Sequence, residues 1–302
     1  MDKIANYEII IIGGSYAGLS AAMSLGRALR NVLVIDSGDP CNKQTPHSHN
    51  FITRDGETPA DITRKAKEEL AVYPSVHLLD ALVTDVKKQE AQFTVNVSTG
   101  DVFTTSKLLF ATGVKNIMPG IPGFAACWGI SVLHCPYCHG YEVRNQPTGI
   151  LANGDMAFEM AKLINNWTKD LTLLTNGRAV FTAEQEEKLA AHQVKIIEKD
   201  IASIAHENGN LQRIVFTDGT HQELAVMYAR PAFEQHSSLP EKLGCELTGD
   251  GYIRIDDLKR TNVPGVFAAG DNTIPFRSVA NAVAAGASAG AFINHELIAE
   301  AF

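Results

Sequence analysis

The chain has 302 residues, 45% hydrophobic and 20% charged, a balance that suits a globular protein long enough for two domains. Its 26 Lys and Arg against 34 Asp and Glu leave a net charge of −8, with the basic residues scattered, which argues against nucleic acid or an anionic membrane surface as partner. No stretch approaches the roughly 18 apolar residues of a membrane span, and the first residues lack the apolar core of a secretion signal, so a cytoplasmic protein is expected.

Taken in chain order, Tyr7–Ile12 is a near-continuous apolar run, the pattern of a parallel strand buried on both faces. Gly13-Gly14-Ser15-Tyr16-Ala17-Gly18 reads as a tight turn, and Ala17 to about Arg30 as a helix with Ala21, Ala22, Leu25 and Leu29 on one face. A second strand, Val32–Ile35, has Asp36 at its carboxyl end. Thr58-Pro59 opens another helix, with a capping hydroxyl before proline at the first helical position. Val76 to Phe110 is mostly strand, turning at Thr99-Gly100-Asp101.

A second strand-turn-helix starts at Thr148, with Gly149–Leu151 as strand, Ala152-Asn153-Gly154-Asp155 as turn and a helix running to Trp167. Leu171–Leu174 is the next strand, and Thr182-Ala183-Glu184-Gln185 carries a capping-box signature. The last unit is a strand ending in Gly270-Asp271, then a helix rich in Ala and Gly from about Val279 to Glu300. Two nucleotide-type units, the second nested in the first, predict an α/β protein with two Rossmann-like domains. Residues 1–117 and 246–302 form the first and 118–245 the inserted second, with hinges near 114–118 and 245–249.

A dinucleotide turn needs glycine where the bend is tight and where backbone approaches pyrophosphate, and the following helix supplies N–H groups and positive dipole. Gly13-x-Ser15-x-x-Gly18 meets this with serine at the middle position, and Asp36 is placed to accept from ribose hydroxyls. A purely structural turn would explain the spacing alone. Ala111-Thr112-Gly113 and Gly270-Asp271 add to it, because each ends an apolar strand, where ligands of open α/β sheets bind.

Five cysteines, Cys41, Cys127, Cys135, Cys138 and Cys245, do not describe a disulfide scaffold. Cys135-Pro136-Tyr137-Cys138 lets two sulfurs close a small ring at a helix start, where a thiol pKa falls and the reactive thiolate gains. His134 precedes the pair and His139 follows it, and either can serve as acid or base near neutral pH. A zinc site is the competing reading, but it needs two further ligands and no second Cys-x-x-Cys or His-x-x-x-His exists. The other three cysteines read as small buried or surface residues.

These landmarks carry a resemblance. Ile11-Ile12-Gly13-Gly14-Ser15-Tyr16-Ala17-Gly18-Leu19, Ala111-Thr112-Gly113, Cys135-Pro136-Tyr137-Cys138 and Asn262-Val263-Pro264-Gly265-Val266-Phe267-Ala268-Ala269-Gly270-Asp271 follow one another as in the low-molecular-weight thioredoxin reductases. The chain is similar to that family over nearly its full length. The resemblance implies an FAD domain split around an inserted nicotinamide-type domain that carries the cysteine pair, and a homodimer. It implies that Cys138 faces the flavin and Cys135 meets the substrate. It places FAD on Gly13, Ser15, Tyr16, Ala17 and Asp36, on Val83, Ala111, Thr112 and Gly113, and on Gly270, Asp271, Ser278 and Val279.

Three departures bear on the electron source. His139 stands where those reductases carry aspartate, Ala152 stands at the first glycine of the inserted domain's turn, and Thr175-Asn176-Gly177 replaces the basic cluster that holds the NADPH 2′-phosphate, with only Arg178 nearby. Cys135-Pro136-Tyr137-Cys138-His139-Gly140-Tyr141-Glu142, with Ser48-His49-Asn50 upstream, more closely resembles the FAD dithiol oxidases that close disulfides in gliotoxin- and holomycin-type metabolites. That resemblance implies exchange of two electrons between FAD and a dithiol or disulfide, on a small molecule or a thioredoxin-like protein, with little or no use of NAD(P)H. An NAD(P)H-dependent thioredoxin-disulfide reductase and a non-catalytic flavin redox sensor are the alternatives.

Overall fold

The structure is a computed structural model and describes residues 5–302. Four consecutive isoleucines, Ile9–Ile12, are all buried, as a strand covered on both faces requires. They end β1 (Ala5–Ile12), which the Gly13 turn connects to α1 (Tyr16–Arg27) and then to β2 (Val32–Asp36), parallel to β1 with Ile12 opposite Ile35. Thr58 caps α2 (Pro59–Leu70) by accepting from Asp61 N at 3.1 Å, and β3 (Val76–Asp80) adds to the sheet beyond β2. β4 (Val83–Gln89), β5 (Gln92–Val97) and β6 (Val102–Phe110) form an antiparallel meander whose last strand lies beside β1. The chain then leaves through β7 (Val114–Asn116).

The inserted part runs α3 (Phe124–Cys127), β8 (Val132–Leu133), α4 (Pro136–His139), β9 (Thr148–Leu151), α5 (Gly154–Ile164), β10 (Leu171–Leu174), α6 (Ala183–Ala191) and β11 (Lys195–Ile197). The sequence signature at Thr182 is realised as a reciprocal capping box with Gln185. An antiparallel trio follows, β12 (Ile201–Glu207), β13 (Asn210–Phe216) and β14 (His221–Glu223), and then β15 (Val226–Ala229). β15 slots between β9 and β8 to complete a parallel sheet of order β11-β10-β9-β15-β8.

β16 (Phe233–Gln235) pairs with β7, and α7 (Leu239–Lys242), β17 (Val266–Ala268) and α8 (Val279–Ala301) complete the first part. β6 serves two neighbours in succession: its first half pairs antiparallel with β5 and its second half parallel with β17. The fold is thus α/β with two Rossmann-like nucleotide-binding units, the second inserted in the first, as the sequence predicts.

The chain divides into two compact units. One is the chain up to Lys43 with Phe51–Lys115 and Phe233–Phe302, and the other is Gln44–Asn50 with Asn116–Ala232. The return to the first unit comes before the expected 245–249, because β16 already pairs with β7 and Phe233 packs on Tyr252, ring centroids 4.6 Å apart. Gln44–Asn50, which the sequence reading assigns to the first domain, goes with the second, where Gln44 Nε2 donates to Trp128 O. Among the described residues no helix is long and apolar enough to cross a membrane.

Candidate active site and cofactor cradle

In the first unit the ends of β1, β2, β6 and β17 assemble the cradle. Gly13 follows β1 at φ +108°, and a Cβ there would lie 2.3 Å from Ala111 O, so only glycine lets these two strand ends converge. Gly14 N donates to Asp36 Oδ1 at 3.1 Å, which fixes the carboxylate against the turn. Ser15 is the extended residue before α1, and its hydroxyl makes no capping bond. A cavity of about 780 Å³ is lined by Gly13, Ser15, Asp36, Val83, Ala111 and Thr112. It is also lined by Pro40, Thr63, Arg64 and His236, which carry no motif in the sequence.

Tyr16, Ala17, Gly113, Gly270, Asp271, Ser278 and Val279 lie outside that lining. Tyr16 accepts from Asn42 Nδ2 through its hydroxyl at 3.2 Å, and a Cβ on Gly270 would lie 3.0 Å from the Cβ of Ala17. Gly113 sits at φ +64° just past β6. Ser278 spends its hydroxyl on capping α8, accepting from Asn281 N at 3.1 Å, and Val279 is the first residue of that helix. Burial pushes the Asp271 carboxyl up to about 6, against the opposing pull of Arg277, and Asp271 Oδ1 has no hydrogen-bond partner in the protein.

Asn272 is fully buried and stitches the strand ends, donating to Phe110 O at 2.9 Å and Thr112 Oγ1 at 3.4 Å, while its own oxygen is also unpartnered. Two buried acceptors without donors, beside a glycine turn that admits close backbone approach, fit a ligand rich in hydroxyls such as FAD. Nothing but its place after Gly270-Asp271 signals Asn272 in the sequence.

In the second unit Cys135 and Cys138 form a disulfide with Cα atoms 5.3 Å apart. Cys135 precedes α4, and its sulfur accepts from Cys138 N at 3.1 Å. α4 is a single turn, so this one N–H replaces the helix dipole that the sequence reading invokes. Gly140 is required here, since a Cβ would fall 2.4 Å from Pro136 O and 2.9 Å from Trp167 Nε1. Tyr137 stands edge-on to Trp167, ring centroids 5.5 Å apart, and remains exposed.

His139 ends α4, and burial holds its imidazole below the usual range, helped by His49 and opposed by Glu142. It is therefore neutral at neutral pH, the form that accepts a proton. His134 lies between β8 and Cys135. No group of three or more His, Cys, Asp or Glu among the described residues could hold a metal ion. Cys127 and Cys245 are buried and Cys41 exposed, all three as free thiols.

The second unit's own turn is laced by side chains. Asn153 Oδ1 accepts from Gly154 N at 2.8 Å and Val180 N at 2.9 Å, and its amide donates to Arg178 O at 2.8 Å. Thr175 donates through its hydroxyl to Gly177 O at 2.6 Å, and Glu198 Oε1 accepts from Ala179 N at 2.5 Å. Val180 and Glu198 here are residues that motif reading passed over, and Asn153 is one that it read only as part of the turn.

A glycine turn bonded to a strand-end carboxylate thus stands in one nucleotide-type unit, and a one-turn Cys-x-x-Cys disulfide in the other. The sequence profile described as pyridine nucleotide-disulphide oxidoreductase matches residues 7–289, and the chain belongs to that family. It is 31% identical to the thioredoxin reductase tcpT of Claviceps purpurea, covering 97% of this chain and 95% of tcpT.

Among solved structures it resembles the oxidoreductase of Agrobacterium tumefaciens, with 38% identity, a TM-score of 0.91 and 97% and 99% of the two chains covered. It also resembles HlmI, with 33% identity, a TM-score of 0.92 and 98% and 94% covered. The chain is an oxidoreductase of the thioredoxin reductase type, and FAD is the cofactor of such enzymes.

Proposed function

We propose that this enzyme oxidises a dithiol substrate to its disulfide through Cys135 and Cys138 on FAD, with little or no use of NADPH. Gly13, Gly14, Asp36, Asp271 and the strand ends Ala111-Thr112 would hold the FAD, which supplies a two-electron acceptor when bound. A substrate thiolate attacks Cys135, and the pair of electrons of the Cys135–Cys138 bond leaves on Cys138. The second substrate thiol then displaces Cys135, which departs as a thiolate supported by the Cys138 N–H. The substrate leaves as a disulfide and the protein as a dithiol. His139, neutral and next to Cys138, takes up a thiol proton, and His134 is the other histidine flanking the pair. The small-molecule dithiols of gliotoxin- and holomycin-type metabolites suit this chemistry, and a homodimer in the cytoplasm is the setting we propose.

The observation that carries the reading is the Asn153 clasp. The Gly154 N–H of the second unit's glycine turn, the kind of donor a nucleotide pyrophosphate needs, is taken by the Asn153 carbonyl, which also holds Val180 N, and Glu198 sets a carboxylate at Ala179, two residues past Thr175-Asn176-Gly177, where a 2′-phosphate needs positive charge. Loss of two charge-assisted contacts costs on the order of 3 kcal/mol, or more than a hundredfold in affinity. Anaerobic stopped-flow mixing tests it: dithiothreitol bleaches the flavin readily, sub-millimolar NADPH does so slowly or not at all, and NADH does no worse than NADPH. Rapid full bleaching by micromolar NADPH would make the protein an NADPH-dependent disulfide reductase instead.

A further inference from the structure

The second unit contains a short stretch that its own chain order would not place there. Gln44–Asn50 belongs with it, although residues on both sides belong to the first unit. The stretch contributes almost no apolar burial, because Gln44, Pro46, His47 and Asn50 are exposed and only Ser48 is buried. It is nonetheless held, with Gln44 Nε2 on Trp128 O and Thr45 against Gly129, where a Cβ would fall 3.0 Å from Thr45 Oγ1. What it delivers is a histidine. The ring of His49 meets that of His139 edge-on, centroids 6.4 Å apart and planes at 88°, and His49 Nδ1 lies 3.7 Å from Glu142 Oε1.

We propose that His49, carried in by Gln44–Asn50 and held by Glu142, is the positioning residue that orients His139 for proton transfer at the Cys135–Cys138 pair. The proposal rests on the dithiol-oxidising reading above. In that reaction the substrate S–H proton goes to His139, the thiolate forms the new S–S bond at Cys135, and the electrons of the old bond go to Cys138. An imidazole turns about two side-chain torsions, and an edge contact from a second ring removes that freedom.

The charges around His139 support the assignment. His49 disfavours its cation and Glu142 favours it, so the two neighbouring groups act on His139 with opposite sign. Behind them, His47 lies 6.4 Å from His49, ring to ring, and the buried Tyr228 of β15 has its phenol pushed up by burial and by the Glu142 charge.

The test is a pH titration of the His139 ring resonance by NMR in the FAD-loaded full chain, identified with His139→Gln. His49→Gln moves the His139 midpoint upward and Glu142→Gln moves it downward. Because the substitutions act in opposite directions on one resonance, a general loss of packing does not mimic them. The acid limb of the pH profile for anaerobic flavin bleaching by dithiothreitol moves with each midpoint. A His139 midpoint unchanged in His49→Gln, or shifts of the same sign in both variants, overturns the proposal. A wild-type enzyme that no dithiol reduces overturns the oxidase reading, and the NMR shifts, which need no turnover, still decide the His49 contact.

Discussion

The Cys138 N–H on the Cys135 sulfur gives the two cysteines different chemistry although they share one bond. A thiolate at Cys135 is stabilised by a donor already in place, so Cys135 is the more available nucleophile toward a disulfide and the better group to release a substrate. Cys138→Ser should therefore trap a mixed disulfide when offered a disulfide such as hydroxyethyl disulfide, read as an adduct by intact mass. Cys135→Ser should give little adduct, and equal adducts on both variants would remove the distinction.

Asp271 offers a second residue-scale test. Burial raises its pKa to about 6, above the ordinary carboxylate value of 3.8, so the folded chain holds a proton that the unfolded chain releases. Stability from this group is present at low pH and is lost as pH rises from about 4 to 6. In flavin-stripped protein, Asp271→Asn should gain at most about 3 kcal/mol over wild type at pH 7.5, with no gain below pH 4, by urea denaturation at both pH values.

At the scale of elements, the contact between α1 and α8 decides whether the Gly13 turn is presented at all. α8 comes so close that Gly286 faces Ala17 O, 2.0 Å from where a Cβ would stand, and Gly290 faces Ala21 O at 2.7 Å. Ser20 and Ser24 of α1 donate to Val283 O and Ala287 O across the same seam. Carbonyl oxygens cannot step aside as a flexible side chain can, so Gly286→Ala should cost about 1–3 kcal/mol and loosen FAD, measured by denaturant midpoint and flavin release. Gly249→Ala, with nothing within 4 Å, should stay within about 0.5 kcal/mol of wild type. The sequence shows α8 as a run of Ala and Gly but not its partner, because small residues advertise close approach without naming what approaches.

At the scale of the whole chain, strand-turn-helix periodicity announces two nucleotide-type units, since each begins with an apolar run and a glycine turn. The antiparallel trio β12 to β14 and the inserted strand β15 carry no such local mark. β15 is a four-residue buried run that earns its place only by pairing with β9 on one side and β8 on the other. The hinge beyond Ala232 was illegible for the same reason, because β16 is assigned by its pairing with the distant β7.

What the sequence determined alone is the chemistry that needs residues close in the chain. The Cys135–Cys138 ring, the Gly13–Gly18 turn and the Thr58 and Thr182 caps are short-range, set by backbone geometry within a few residues. What only the tertiary structure decided are the groups brought together from far apart: Asn272 bridging Phe110 and Thr112, Asn153 closing on Arg178 and Val180, and His49 meeting His139 and Glu142. Each is a single polar side chain whose partner is chosen by where strands and loops end in space. No periodicity or spacing in the chain encodes that choice.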